Sequence, residues 1–68
     1  MNEVVRDPEI LGGVPVFRGT RVPIRNLFDY LVSGSTVKDF LEDFPSVSFE
    51  QVRQMLQAAE VAMEGQAA

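Results

Sequence analysis

The sequence predicts a mostly α domain, a three-helix body with a helix-turn-helix outline behind a short N-terminal β-hairpin. Three observations carry this expectation. From Pro23 onward, apolar residues recur at helical spacing in three successive segments. Residues 1–22 instead hold short apolar runs punctuated by glycine and proline, the pattern of strands and turns. Breakers fall where the first two helical segments end, at Gly34 and Pro45.

In the head, Val4-Val5-Arg6 reads as a strand. Asp7 to Leu11 reads as one helical turn, with Asp7 as N-cap, Pro8 at the first helical position and Gly12-Gly13 ending it. Val16 to Val22 reads as a hairpin. Gly19-Thr20 is its two-residue turn, with glycine at the first central position of a type II′ geometry. Pro15 and Pro23 bracket the hairpin and limit its strands, because neither can donate to a ladder.

In the body, helix 1 runs from Pro23 to Ser33 with the stripe Ile24, Leu27, Phe28, Leu31 and Val32. Helix 2 starts at Ser35 or Thr36, carries Val37, Phe40, Leu41 and Phe44, and stops at Pro45. Helix 3 opens at Ser48 with Gln51 three residues on, a capping box. Its expected buried face is Phe49, Val52, Met55, Leu56, Ala59 and Met63. The four residues Pro45 to Ser48 between helices 2 and 3 give the helix-turn-helix outline, though any three-helix bundle contains such a pair. The small-residue tail Gly65 to Ala68 is expected to fray.

Sixty-eight residues make one domain, a head over residues 1–22 and a body over 23–64. A core of this size rarely supplies more than ~3–5 kcal/mol, so small domains add a disulfide, a metal or a partner chain. There is no cysteine and no histidine. That leaves no disulfide and none of the usual transition-metal ligands, so a partner is expected, either another copy or a different protein. The missing cysteine fits a reducing cytoplasm. The N-terminus lacks the basic and long apolar regions of a signal peptide, and no window approaches the ~20 apolar residues of a membrane span.

The net charge is −4, which disfavours generic nucleic-acid binding. The charge is unevenly placed. Residues 1–25 hold four arginines against three acids, a net of +1. Residues 26–68 hold two cations against seven acids, a net of −5.

Without histidine or cysteine the commonest general base and the best thiol nucleophile are absent, and no catalytic residue, metal ligand or cofactor is expected. Asp39, Glu42 and Asp43 cluster on helix 2, but the apolar residues there face the core, so the acids read as a solvated face. The glycines around Val14 to Arg21 lack the lysine and Ser/Thr order of a phosphate loop and read as turn residues.

Two groups remain as candidate binding residues. Arg18, Arg21 and Arg25 are the dense positive cluster, suited to bidentate recognition of a partner's carboxylates. The alternative is internal pairing with Asp7, Glu9 or Asp29. Glu50, Arg53, Gln54 and Gln57 project from helix 3 where a recognition helix would read bases. A solvated polar face is the other reading, and any DNA contact by the chain alone is expected to be weak.

The run Asp7-Pro8-Glu9-Ile10-Leu11-Gly12-Gly13-Val14-Pro15-Val16-Phe17-Arg18-Gly19-Thr20-Arg21-Val22-Pro23 resembles the signature of a small bacterial family known as domain of unknown function 433. The resemblance continues through Leu31, Gly34, Phe40, Leu41, Phe44, Pro45, Val52 and Leu56. It implies a homeodomain-like helical fold with a short β N-terminus. It also implies an antitoxin that neutralises a cognate PIN-like ribonuclease toxin and helps repress its own operon. It carries over no catalytic or binding residue. The chain is therefore expected to be a cytoplasmic, non-enzymatic, self-associating antitoxin-like module. The rival expectation is a structural dimerisation or adaptor module with neither toxin nor DNA.

Overall fold

A computed structural model describes residues 4–66. Among these residues the order is strand β1 (Val4–Val5), a 3-10 turn (Leu11–Gly13), strand β2 (Val16–Phe17), then helices α1 (Ile24–Val32), α2 (Val37–Asp43) and α3 (Phe49–Gln66). This is the expected mostly helical body behind a two-stranded antiparallel head. No helix among the described residues is long and apolar enough to cross a membrane.

The head differs from expectation in its pairing. β1 pairs with β2, Val4 opposite Phe17 and Val5 opposite Val16. The expected return arm after Gly19-Thr20 is present only as a bridge between Val16 and Pro23, with the Phe17 N–H donating to the Val22 carbonyl at 3.0 Å. Proline cannot extend that arm into a ladder, so the second strand comes from further back in the chain.

The expected turn behind Asp7 is present over Pro8 to Ile10 with Asp7 as its cap, but it ends one residue early, at Leu11. The Asp7 carboxylate accepts the Glu9 N–H at 2.9 Å, and the Asp7 carbonyl accepts the Ile10 N–H at 2.8 Å. The chain then turns with the opposite hand, through positive φ at Leu11 (52°), Gly12 (69°) and Gly13 (94°). Gly12 and Gly13 make that reversal inexpensive, whereas Leu11 is held there against its intrinsic preference.

The helices form for local reasons visible in their ends. α1 closes with the Gly34 N–H on the Leu31 carbonyl (3.1 Å) and the Ser35 N–H on the Tyr30 carbonyl (2.9 Å), with Gly34 at φ 95°. That is the Schellman arrangement, which glycine permits. α2 begins with a reciprocal box: Asp39 N–H to Thr36 Oγ1 and Thr36 N–H to Asp39 Oδ2, each 3.0 Å. α3 begins with the same device, Gln51 N–H to Ser48 Oγ (3.1 Å) and Ser48 N–H to Gln51 Oε1 (3.0 Å).

The core joins all parts. Phe17 from the head packs with Leu27 of α1, Phe40 of α2, Val47 of the linker, and Val52 and Met55 of α3. An aromatic cluster lies inside it, with ring centroids 6.0 Å apart for Phe17–Phe40, 5.0 Å for Phe40–Phe44 and 5.4 Å for Tyr30–Phe40. The Tyr30 ring meets Phe40 nearly edge-on, a favoured aromatic geometry, and its hydroxyl reaches outward to donate to Asp43 at 2.5 Å.

The expected apolar faces are narrower than the sequence pattern implied. On α1, Val32 is exposed at the helix end and Phe28 is partly so. On α3, Val52 and Met55 are buried, but Phe49 (61% exposed) and Met63 (71% exposed) are not. α3 is far longer than α2, eighteen residues spanning about 27 Å against seven, and the residues it gives to the core, Val52, Met55 and Leu56, all lie in its first half. Of the expected fraying tail, Gly65 and Gln66 continue the helix, and Ala67 and Ala68 lie outside the described residues.

Candidate partner-binding site

The turn from Phe17 to Thr20 positions Arg18 and Arg21, whereas Arg25 stands on the first turn of α1. The Phe17 carbonyl accepts both the Thr20 N–H (3.0 Å) and the Thr20 hydroxyl (2.8 Å), and that hydroxyl accepts the Val22 N–H (3.0 Å). Thr20 is buried, so this one side chain replaces solvent for the turn's polar groups. Gly19 has φ 77° and is the second central residue of the turn, not the first as expected from a type II′ geometry. Positive φ at that place is the mark of a type II turn.

The turn is fastened to the helical body. Gln51, already in the α3 capping box, donates its Nε2 to the Arg18 carbonyl at 2.8 Å. The Ser48 and Gln51 spacing reveals the cap. It gives no hint of this second bond, which spans 33 residues.

Arg18, Arg21 and Arg25 are all exposed. Among the described residues, Arg21 and Arg25 form no ion pair, so internal pairing with Asp7, Glu9 or Asp29 is not their arrangement. The cluster does not converge on a single point. Arg21 lines a surface cleft of about 560 Å³ with Val5, Ile10, Val16, Val22 and Ser46. Arg25 lines a separate cleft of about 450 Å³ with Val4, Pro15, Ile24 and Phe28. Each cleft thus joins an apolar wall to one guanidinium.

The helix α3 residues behave differently. Glu50 accepts from Arg53 through both Nε (3.1 Å) and a second guanidinium nitrogen, and from Gln54 Nε2 at 2.9 Å. These bonds, the Arg53 one foremost, pull the Glu50 carboxyl down to about 2 and raise Arg53. The donors that would face a nucleic acid are therefore engaged with a neighbouring acid. Gln57 is exposed one turn further on.

The helix 2 acids have structural duties as well. Asp39 caps α2, and its bonds to Thr36 hold its carboxyl below the usual carboxylate range. Asp43 accepts the Tyr30 hydroxyl, which raises the tyrosine. Tyr30 escaped the sequence reading because it lies off the α1 stripe; its partner is thirteen residues away.

The family described as Protein of unknown function (DUF433) matches residues 4–58. A relative from Sinorhizobium fredii, described as Uncharacterized protein y4eO, is 44% identical over 50 residues. That match covers 74% of this chain and 23% of the relative, so the chain spans about a quarter of that protein's length. No solved structure matches the chain.

Proposed function

This chain belongs to the DUF433 family, and we propose that it is an antitoxin-like protein-binding module, without catalytic chemistry of its own, that neutralises a cognate PIN-like ribonuclease in the cytoplasm. The observation that supports this most directly is a pair of clefts, one lined largely by the head and one between the head and α1. Each offers an apolar wall beside an arginine, Arg21 or Arg25, that no acid of the described chain neutralises. A nuclease that holds its metal with carboxylates presents the complementary charge, and a guanidinium can meet two carboxylate oxygens at once. Repression of its own operon would proceed through the complex, because Arg53 is engaged by Glu50 and the body is acidic.

Co-expression with the product of the neighbouring reading frame tests this reading. A co-purifying complex in which that product's ribonuclease activity is lost is the expected result. Full ribonuclease activity at saturating chain would overturn it.

The second reading, a dimerisation or adaptor module, is favoured by a different observation. The last turns of α3 leave Val61 and Met63 uncovered. A dimer in sedimentation that Met63→Glu dissociates, with no nuclease inhibition, would select it.

A further inference from the structure

We propose that the cleft lined by Arg21 receives an extended segment of a partner protein that carries an apolar side chain next to a carboxylate. The inference rests on the reading of the chain as a protein-binding module and assigns the surface and the chemistry of what binds there. Four apolar side chains, Val5, Ile10, Val16 and Val22, make the wall, and the volume of about 560 Å³ lies in the ~300–1,000 Å³ range of ligand-sized sites. Arg21 is the one charged residue among those lining the cleft, and it forms no ion pair among the described residues.

Charge decides between occupants. Each chain carries a net charge of −4, so two copies repel one another and a second copy is the less favoured occupant. A nucleic acid would need several cations along its backbone, whereas this cleft offers one guanidinium beside aliphatic walls. A carboxylate flanked by apolar side chains satisfies both features: the guanidinium pairs with it in two parallel bonds, and the neighbouring side chain enters the wall. The site is also held in shape before binding. Thr20 ties the turn to Phe17 and Val22, and Gln51 ties the turn to α3. Little ordering is then left to oppose association.

The test uses the full chain and the blocked peptide acetyl-Leu-Asp-Leu-Val-amide, followed by amide NMR at neutral pH. Saturable shifts are expected at Ile10, Gly19, Val22 and Ser46. The peptide with Asn in place of Asp, and the variant Arg21→Gln, should each bind at least ~10-fold more weakly, the loss of one charged bidentate contact. Ser46→Trp, at an exposed position on the cleft, should block the peptide without unfolding the chain. Lys38→Gln, at a residue that lines a different cleft with Leu41 and Phe49, removes the same charge and should change nothing.

Equal binding of the Asp and Asn peptides, shifts confined to other residues, or no saturable shift would overturn the proposal. So would a single-stranded oligonucleotide that displaces the peptide and binds these amides more tightly. The two readings fail separately. If the nuclease is inhibited equally by wild type, Arg21→Gln and Ser46→Trp, the cleft is wrong and the antitoxin reading stands. If the peptide binds as expected but no nuclease is inhibited, the cleft stands and the toxin reading falls.

Discussion

Gly19 and Leu11 both hold the backbone at positive φ, 77° and 52°, yet only one of them is suited to it. A Cβ on Gly19 would meet nothing within 4 Å, so the turn selects glycine for its dihedral and not for its size. That separation makes a sharp prediction. Gly19→Val should cost ~1–3 kcal/mol in urea unfolding, since a β-branched residue is strained at positive φ. Gly19→Asn should recover most of it, because asparagine tolerates that region. Equal losses would mean that space, not dihedral strain, governs the site. The need for glycine here was legible in the sequence, but the place of Gly19 within the turn was not. The turn closes through the Thr20 hydroxyl on Phe17 and Val22, and that bond depends on Thr20 being buried by the assembled head. Leu11 gave no sign at all. A leucine forced into the left-handed region follows from Gly12 and Gly13 beside it and from the bonds of Gly13 and Val14 back to Ile10 and Leu11.

At the scale of elements, the starts and stops of the helices were the most legible feature, because caps are local. Thr36 with Asp39, Ser48 with Gln51, and Gly34 all act within a few residues of themselves. Burial was less legible. Phe49 and Met63 keep the α3 periodicity but stay exposed: the residues α3 gives to the core, Val52, Met55 and Leu56, lie between them, and both ends of the stripe stand outside it. Gln51 lets the local and non-local roles be separated. Gln51→Glu keeps an acceptor for the Ser48 N–H and so preserves the cap, but it cannot donate to the Arg18 carbonyl. Gln51→Ala loses both. If the link between head and body contributes, Gln51→Glu should destabilise by ~1 kcal/mol and Gln51→Ala by more. Wild-type stability in Gln51→Glu would show that the link is idle. Glu50, one residue earlier, predicts the response to acid. Its folded-state value of about 2 lies below the ordinary 4.5, so its ionised form favours the fold. That contribution is complete above pH 4.5 and is lost as pH falls toward 2. The pair is exposed and its share is small. Unfolding midpoints across this window should therefore fall slightly less in Glu50→Gln than in wild type, with Asp39, also lowered, supplying part of the remaining slope. A steeper fall in the variant would contradict the assignment.

For the molecule as a whole, charge and shape point the same way. Four of the six basic residues lie within residues 1–25, and two of them, Arg21 and Arg25, sit on separate clefts, while the chain beyond residue 25 carries a net of −5. The charge split was readable from the sequence, but the distribution of Arg21 and Arg25 over different clefts was not, since β1 and the α2–α3 linker supply walls from distant parts of the chain. The same layout sets an expectation for DNA. Sequence-independent affinity comes from cations that displace counterions along the phosphate backbone, and each such contact adds about one unit to the salt slope. On α3, Arg53 is the one cation, and Glu50 already holds it in two bonds while lowering its own proton affinity to do so. Glu60 and Glu64 follow on the same helix and repel phosphate. The isolated chain should therefore show no binding to a random duplex at micromolar concentration and physiological salt in fluorescence anisotropy. Weak binding at low salt should have a shallow slope, on the order of one to three, set by the head arginines. Glu50→Gln frees Arg53 and removes a negative charge, so it should raise that low-salt affinity, whereas Arg21→Gln should lower it. Nanomolar binding by the isolated wild-type chain, or a steep slope that Arg53→Gln abolishes, would instead make α3 a recognition helix in its own right and remove the need for a partner to supply the missing charge.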